Sequence, residues 1–186
     1  ALVRAASRRL EMGDPPRPLA LMLATMLHCS DSDQTEAVLD RLRARRALGA
    51  SDLGQALRIA ALSKGSFRRV LLFSDGVMTA GPTEGPQLER AVQGLKGVGI
   101  ARLDAITLGG LRDEPLLRKL TTAGLASDGV VLDGELPAQV VALRLKRAVR
   151  SGIEVSVPGS KWVWPQRLDG VQPGDQVLVY ADVSEP

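Results

Sequence analysis

The sequence predicts an α/β protein: a doubly wound, mostly parallel sheet flanked by helices and followed by a partial β-rich segment. Three observations carry this. Short, almost uniformly apolar runs recur along the chain, ending in turn residues such as the Ser-Asp-Gly of "RRVLLFSDGVMTAG". Strands of that kind are buried on both faces, as in a parallel sheet covered by helices. Segments of helical spacing alternate with them through short connections, which is how right-handed crossovers build an open sheet. After Arg150 the period changes to two, the mark of antiparallel strands with one face turned to solvent.

Element by element, Ala1 to Met12 has helical spacing and is expected to be a helix, stopped by "GDPPRP", where Pro18 favours an extended exit. Leu19 to Leu27 is a continuous apolar run of strand length. "SDSDQ" ends it and offers caps for a helix over Glu36 to Arg46. "LGAS" breaks that helix. A new amphipathic helix is expected from Asp52 to Leu62, with Leu53, Ala56, Leu57 and Ala60 on one face and Ser51 as its N-cap. Val70 to Phe73 is the next buried strand. "LERAVQGLKGVG" reads as a helix with a glycine stop, "LDAITLGG" as a strand, "EPLLRKLTTAGL" as a helix, "GVVLD" as a short strand and "LPAQVVALRLKRAV" as a final helix. Residues 1–150 are accordingly assigned to one α/β domain and 151–186 to part of a second, β-rich module, in which "IEVSVPGSKWVWP" and "QVLVYADV" are strands around the turn "DGVQPGD".

Composition narrows the function. Apolar residues make up 45% of the chain but aromatics only 3%, so the core is aliphatic. The formal net charge is +3, and the arginines are mixed with acids, as in "DRLRARR", rather than gathered with aromatics into a nucleic-acid-binding stripe. The single cysteine, Cys29, excludes an internal disulfide. The longest apolar run, "PLALMLATML", is shorter than a membrane span. The chain opens within helix-like sequence without an initiating Met, which reads as a fragment, and no secretory signal stands at its start.

Two short stretches could carry chemistry. Asp75 follows the strand Val70–Phe73 immediately after Ser74, at the carboxyl edge where open α/β sheets bind ligands, and Gly76 permits a tight turn. Asp-Gly also shapes turns with no ligand involved, and the residues alone leave both readings open. In "GASDLGQAL", Ser51 is either a helix cap or an oxygen donor of the kind Mg²⁺ accepts. "GVMTAGPTEGP" has neither the spacing nor the lysine of a phosphate-cradling loop, and "TLGGL" is not a dinucleotide fingerprint.

Taken together, "GASDLGQAL" and "RRVLLFSDGVMTAG" resemble the later two-thirds of a von Willebrand factor type A (VWA) domain, a Rossmann-like fold. "RLDAITLGGLRDEPLLRKLTTAG" fits the same pattern, and the resemblance spans residues 1–150. In that family a hydroxyl residue before a helix, the aspartate of Thr/Ser-Asp-Gly and an Asp-x-Ser-x-Ser motif after the first strand form a metal-ion-dependent adhesion site. The resemblance implies that Ser51 and Asp75 are metal ligands for Mg²⁺ or Mn²⁺. It further implies that a protein partner presenting Asp or Glu completes the coordination shell, with Gly76 and the 77–86 loop shaping the rim. It implies no catalysis.

The chain departs from the family in one respect: Asp-x-Ser-x-Ser is absent, "CSDSDQ" having the wrong spacing. By element order the first strand and its ligands are expected upstream of Ala1, and metal binding by this chain is expected to be weak or absent. Asp31 and Asp33 are at the same expected edge, as solvated loop carboxylates or additional ligands. "KWVWP" with "GVQPGDQVLVYADV" resembles the β module beside VWA in bacterial VIT-domain proteins, a context that implies a cell envelope or extracellular setting.

The alternatives are a Mg²⁺-dependent enzyme or enzyme subunit built around Asp75, Asp31 and Asp33, and a structural module with a degenerate metal site. For the enzyme, the sequence supplies no base, nucleophile or phosphate loop at that edge. His28 and Cys29, adjacent in a strand, would point to opposite faces and make a poor catalytic or metal pair. Trp162 and Trp164 share one strand face, either as a binding platform or, as expected here, as packing between modules. Arg43, Arg45 and Arg46 read as a solvated helix end.

Overall fold

The computed structural model describes residues 2–4, 51–62, 67–81 and 85–183. The expected strand at 19–27, the helix at 36–46, and His28, Cys29, Asp31, Asp33, Arg43, Arg45 and Arg46 lie outside these residues. A four-stranded parallel sheet runs in the order β1 (Leu2–Arg4), β2 (Arg69–Phe73), β3 (Arg102–Thr107) and β4 (Val131–Asp133). Helices α1 (Leu53–Leu62), α2 (Gly85–Gly97), α3 (Glu114–Thr121) and α4 (Ala138–Lys146) accompany it. The fold class read from the sequence is the one observed.

One element is corrected. Leu2–Arg4, expected within a helix over 1–12, is a strand paired in parallel with β2, Arg4 standing level with Phe73. Helical spacing is a local signal. The unfilled hydrogen-bonding edge of β2 outweighs it, because tertiary pairing overrides so weak a preference.

Alternation along the strands divides the core in two. Val70 and Leu72 of β2 and Leu103 and Ala105 of β3 point to one face, where they pack with Leu53 and Leu57 of α1, Leu88, Val92 and Leu95 of α2, and Leu117 and Leu120 of α3. Phe73, Ile106 and Leu132 point the other way and are covered by Ala138, Val141 and Leu145 of α4. Helices thus cover both faces, and the strands read as nearly continuous apolar runs for that reason. Close approach matters at Gly129: a methyl group there would overlap the carbonyl of Leu103, so only glycine lets the chain enter β4 against β3.

A charged cluster breaks the aliphatic core on the α4 side. Asp104, in the middle of β3, is fully buried. Its Oδ2 accepts from Arg69 Nε at 2.6 Å, and its Oδ1 accepts from Arg102 Nε at 2.9 Å and from the Val130 N–H at 2.9 Å. The same guanidinium groups reach outward, Arg69 Nη2 donating to Leu145 O at 2.6 Å and Arg102 Nη1 to Arg147 O at 3.1 Å. One carboxylate therefore compensates two arginines that hold the carboxyl end of α4 against the sheet. A buried charge persists only when paired and hydrogen-bonded in this manner.

Beyond Arg150 the pairing is antiparallel. Strand β5 (Ile153–Glu154) pairs with β7 (Arg167–Leu168), and β6 (Ser160–Trp164) with β8 (Tyr180–Val183). The segment is tied to the helices: Arg118 Nη1 donates to Gly170 O at 3.3 Å, and Gln172 Nε2 donates to Arg144 O at 2.8 Å. Arg144 also pairs with Asp175. The expected burial of Trp162 and Trp164 is corrected: both are about half exposed or more, at 51% and 62%. Period two correctly put them on one face of β6, but no second sheet lies over that face among the described residues.

Candidate functional site

The carboxyl edge of β2 is built by its own turn. Backbone pairing continues one residue past the strand, with Ser74 N–H donating to Ile106 O at 3.1 Å. Asp75 then turns the chain: its Oδ1 accepts the Val77 N–H at 3.0 Å, while Ser74 Oγ accepts the Gly76 N–H at 3.0 Å. Gly76 has φ +80°, and a Cβ there would lie 2.7 Å from Asp113 O. The left-handed geometry and the close backbone both require glycine. Asp75 O accepts the Asp113 N–H at 2.7 Å, and Asp113 in turn caps α3 by accepting the Leu116 N–H at 3.0 Å. The Ser-Asp-Gly turn is thus fixed to the first turn of α3.

Ser51 is brought to the loop that follows. It is buried, its N–H donates to Thr79 Oγ1 at 2.8 Å, and its carbonyl accepts from the N–H groups of Thr79 and Ala80 at 3.1 and 3.2 Å. The cap of α1 is not Ser51 but Asp52, whose Oδ1 accepts the Gln55 N–H at 2.7 Å. Spacing explains the correction. A cap side chain reaches the amide three residues ahead, and Asp52 stands immediately before the first helical residue. Thr79, which stitches the two segments together, gave no sequence signal beyond being a hydroxyl residue in a loop.

Donor chemistry can be weighed from these residues. A hydroxyl and a carboxylate are hard oxygen ligands, suited to Mg²⁺ or Mn²⁺ rather than to softer metals. Among the described residues, no group of three His, Cys, Asp or Glu converges as a metal cage would require. In the sequence after Arg4, level with Phe73, no carboxylate occurs before Glu11. Ser51 and Asp75 are of the donor type that a hydrated divalent ion accepts, but two such groups make a sparse shell that water would have to complete.

The other end of the edge is already neutralised. Arg112 Nη1 lies 2.9 Å from Asp133 Oδ1 at the end of β4, and its Nη2 lies 3.0 Å from Glu135 Oε1. Nη1 also reaches Thr107 Oγ1 at 3.3 Å, and Nε donates to Gly109 O. The hydrogen bond to Asp133 raises the Arg112 pKa further above its ordinary value, against an opposing push from burial. Burial pushes the Asp133 carboxyl up, but the Glu135 N–H and the Arg112 guanidinium outweigh it and hold the group below the usual carboxylate range. Asp133 accordingly serves the loop after β3 rather than a cation. Sequence reading missed this clamp, whose members are 21 and 23 residues apart in pairs that no motif links.

No family model matches the chain, and no curated protein matches it. Among solved structures, the manganese-loaded TRAP protein of Plasmodium vivax is similar over 98% of this chain and 91% of its own, with a TM-score of 0.51 at 13% identity. At that identity the likeness shows the fold alone, and it agrees with the resemblance carried by the two sequence stretches. The parallel sheet with helices on both faces is thus a fold shared with that protein, VWA-like in architecture.

Proposed function

We propose that the chain is a non-catalytic, protein-binding module of VWA type. Its recognition edge is the carboxyl end of β2, where a partner carboxylate completes the shell of a divalent cation. The observation that supports the reading is that Ser51 is hydrogen-bonded to Thr79, in the loop that continues from the Ser-Asp-Gly turn of Asp75. The metal would be held by the Asp75 carboxylate and the Ser51 hydroxyl, supplying a charge that neutralises an incoming Asp or Glu. Gly76 and Thr79 keep the turn closed, and Asp113 keeps it in register with α3. The resemblance of the later strands further supports a bacterial VIT-type context for the segment from 151 onwards.

A second reading is favoured by one observation. Among the described residues no three His, Cys, Asp or Glu side chains group as a metal cage would require, and the sequence just after β1 adds no carboxylate before Glu11. On that reading the module keeps the fold and recognises partners without metal. Calorimetric titration of the chain with Mn²⁺ and Mg²⁺ separates the two, with Asp75→Asn and Ser51→Ala as variants. Saturable binding lost with Asp75→Asn supports the cation-bridged module. Absence of binding to the wild-type chain even at millimolar Mn²⁺, where a weak site would fill, rejects it in favour of the metal-free one.

A further inference from the structure

The β6–β8 ribbon presents an aromatic face that the metal-edge reading does not use. Trp162 and Trp164 lie two residues apart on β6, and the register sets Trp164 opposite Tyr180 and Trp162 opposite Asp182. Directly opposed residues share a face, so three aromatic rings and one carboxylate stand together. The rings of Trp164 and Tyr180 are 6.0 Å apart between centroids and tilted by 43°. All three aromatics are half exposed or more. With Pro165 and Gln166 they line a groove of about 480 Å³.

The polar chemistry of this groove is lopsided. Indole N–H groups only donate, the Gln166 amide offers two donors beside its one carbonyl acceptor, and the Tyr180 hydroxyl donates as well as accepts, so donors predominate. The complementary ligand has flat apolar rings and many acceptors but few N–H groups. A proline-rich segment answers that description: proline has a carbonyl and no N–H, and its extended helix leaves every carbonyl unbonded. Aromatic residues two apart on a strand stand about 6.6 Å from each other, close to the ~6.2 Å between alternate residues of that helix. Asp182 sets the polarity, favouring a cationic residue at the Trp162 end. Saccharides are the weaker fit, because stacking sugars need several polar side chains around the ring and Gln166 is the one amide lining this groove.

We infer that the Trp162–Trp164–Tyr180 groove is a docking site for a proline-rich peptide segment with a basic flank. Nothing in this inference depends on metal at Asp75. The chain's two tryptophans both line the groove, so intrinsic fluorescence reads it directly. The experiment titrates the chain with oligoproline carrying an arginine at one end, the same oligoproline without arginine, a Gly-Ser peptide of equal length and a cellulose oligosaccharide.

Saturable quenching or shift with both oligoprolines, tighter for the arginine form by about threefold at low salt, is the expected result. Tyr180→Ala should weaken both peptides at least about tenfold while far-UV circular dichroism stays unchanged. Asp182→Asn should remove only the preference for arginine. Should Tyr180→Ala disturb the ribbon, Tyr180→Phe serves in its place, keeping the ring and losing only the hydroxyl donor, and a loss of threefold or more is expected. No saturation, equal response to the Gly-Ser peptide, or response to the oligosaccharide alone would overturn the inference.

Discussion

Removing the Asp104 carboxylate should cost more stability than any loop substitution at the candidate site. Asp104→Ala deletes the acceptor for Arg69 Nε, for Arg102 Nε and for the buried Val130 N–H at once. The unsatisfied amide alone costs about 1–3 kcal/mol. The two guanidinium groups differ. Arg69 is 39% exposed and can turn to water, so its share is small, whereas Arg102 is 15% exposed and stays behind as an uncompensated charge. Breaking a buried pair from one side costs about 3–5 kcal/mol, and the sum here falls within that range. With a urea slope of about 2 kcal/mol/M, the unfolding midpoint should fall by ~2 M, followed by far-UV circular dichroism. Replacing all three together, Asp104→Leu with Arg69→Met and Arg102→Met, should recover only the part due to the stranded guanidinium groups, because the buried Val130 N–H still lacks an acceptor. A midpoint shift under ~0.5 M for Asp104→Ala would refute the argument, because it would mean that Asp104 is not the shared counter-charge.

Three further outcomes are expected. Leu57→Ala, which empties a fully buried position between α1 and the sheet, should cost about 2–5 kcal/mol in the same urea assay, and a loss below 1 kcal/mol would contradict its packing. Gly129→Ala forces a methyl group into the Leu103 carbonyl and should destabilise by at least about 1–3 kcal/mol, whereas the exposed Gly99→Asn should be nearly neutral. The Asp133 carboxyl titrates below its ordinary value in the folded chain, so its pairing stabilises above the unfolded pKa of about 4 and fades as pH falls through the lower folded value. Urea midpoints of the wild type and Arg112→Gln should therefore converge on acidification through that window, and a gap that persists or widens would reject the clamp.

Much of the α/β framework was legible because its signals are local. Helix α1 begins within one residue of its expected start, since "SDLGQAL" carries both the cap and the apolar stripe. Strand β2 stands out because it is buried on both faces and ends in Ser-Asp-Gly. What escaped the sequence was set by distant partners. Asp104 reads as one polar interruption in "LDAITL", and its meaning comes from Arg69, 35 residues away and on the same face only once the β2–β3 register is known. The strand at Leu2–Arg4 exists because β2 offers it an edge, which no local spacing reveals. At the candidate site, "GASDLGQAL" and "SDGVMTAG" pointed to one edge, but the Thr79 contact that joins them needed three dimensions. Trp162 and Trp164 show the complementary limit: alternation gave their shared side and said nothing of what covers it.

The position of the Asp104 cluster has an evolutionary consequence. Arg69 and Arg102 open β2 and β3, so the electrostatic lock sits at the foot of the sheet, and Asp75 and Ser51 stand at the opposite rim. Strand alignment is secured at the end away from the rim. Substitutions, insertions or wholesale exchange of the 77–81 and 108–113 loops can then reshape the rim without loosening the foundation. Such a scaffold diversifies cheaply at one end because it is conservative at the other.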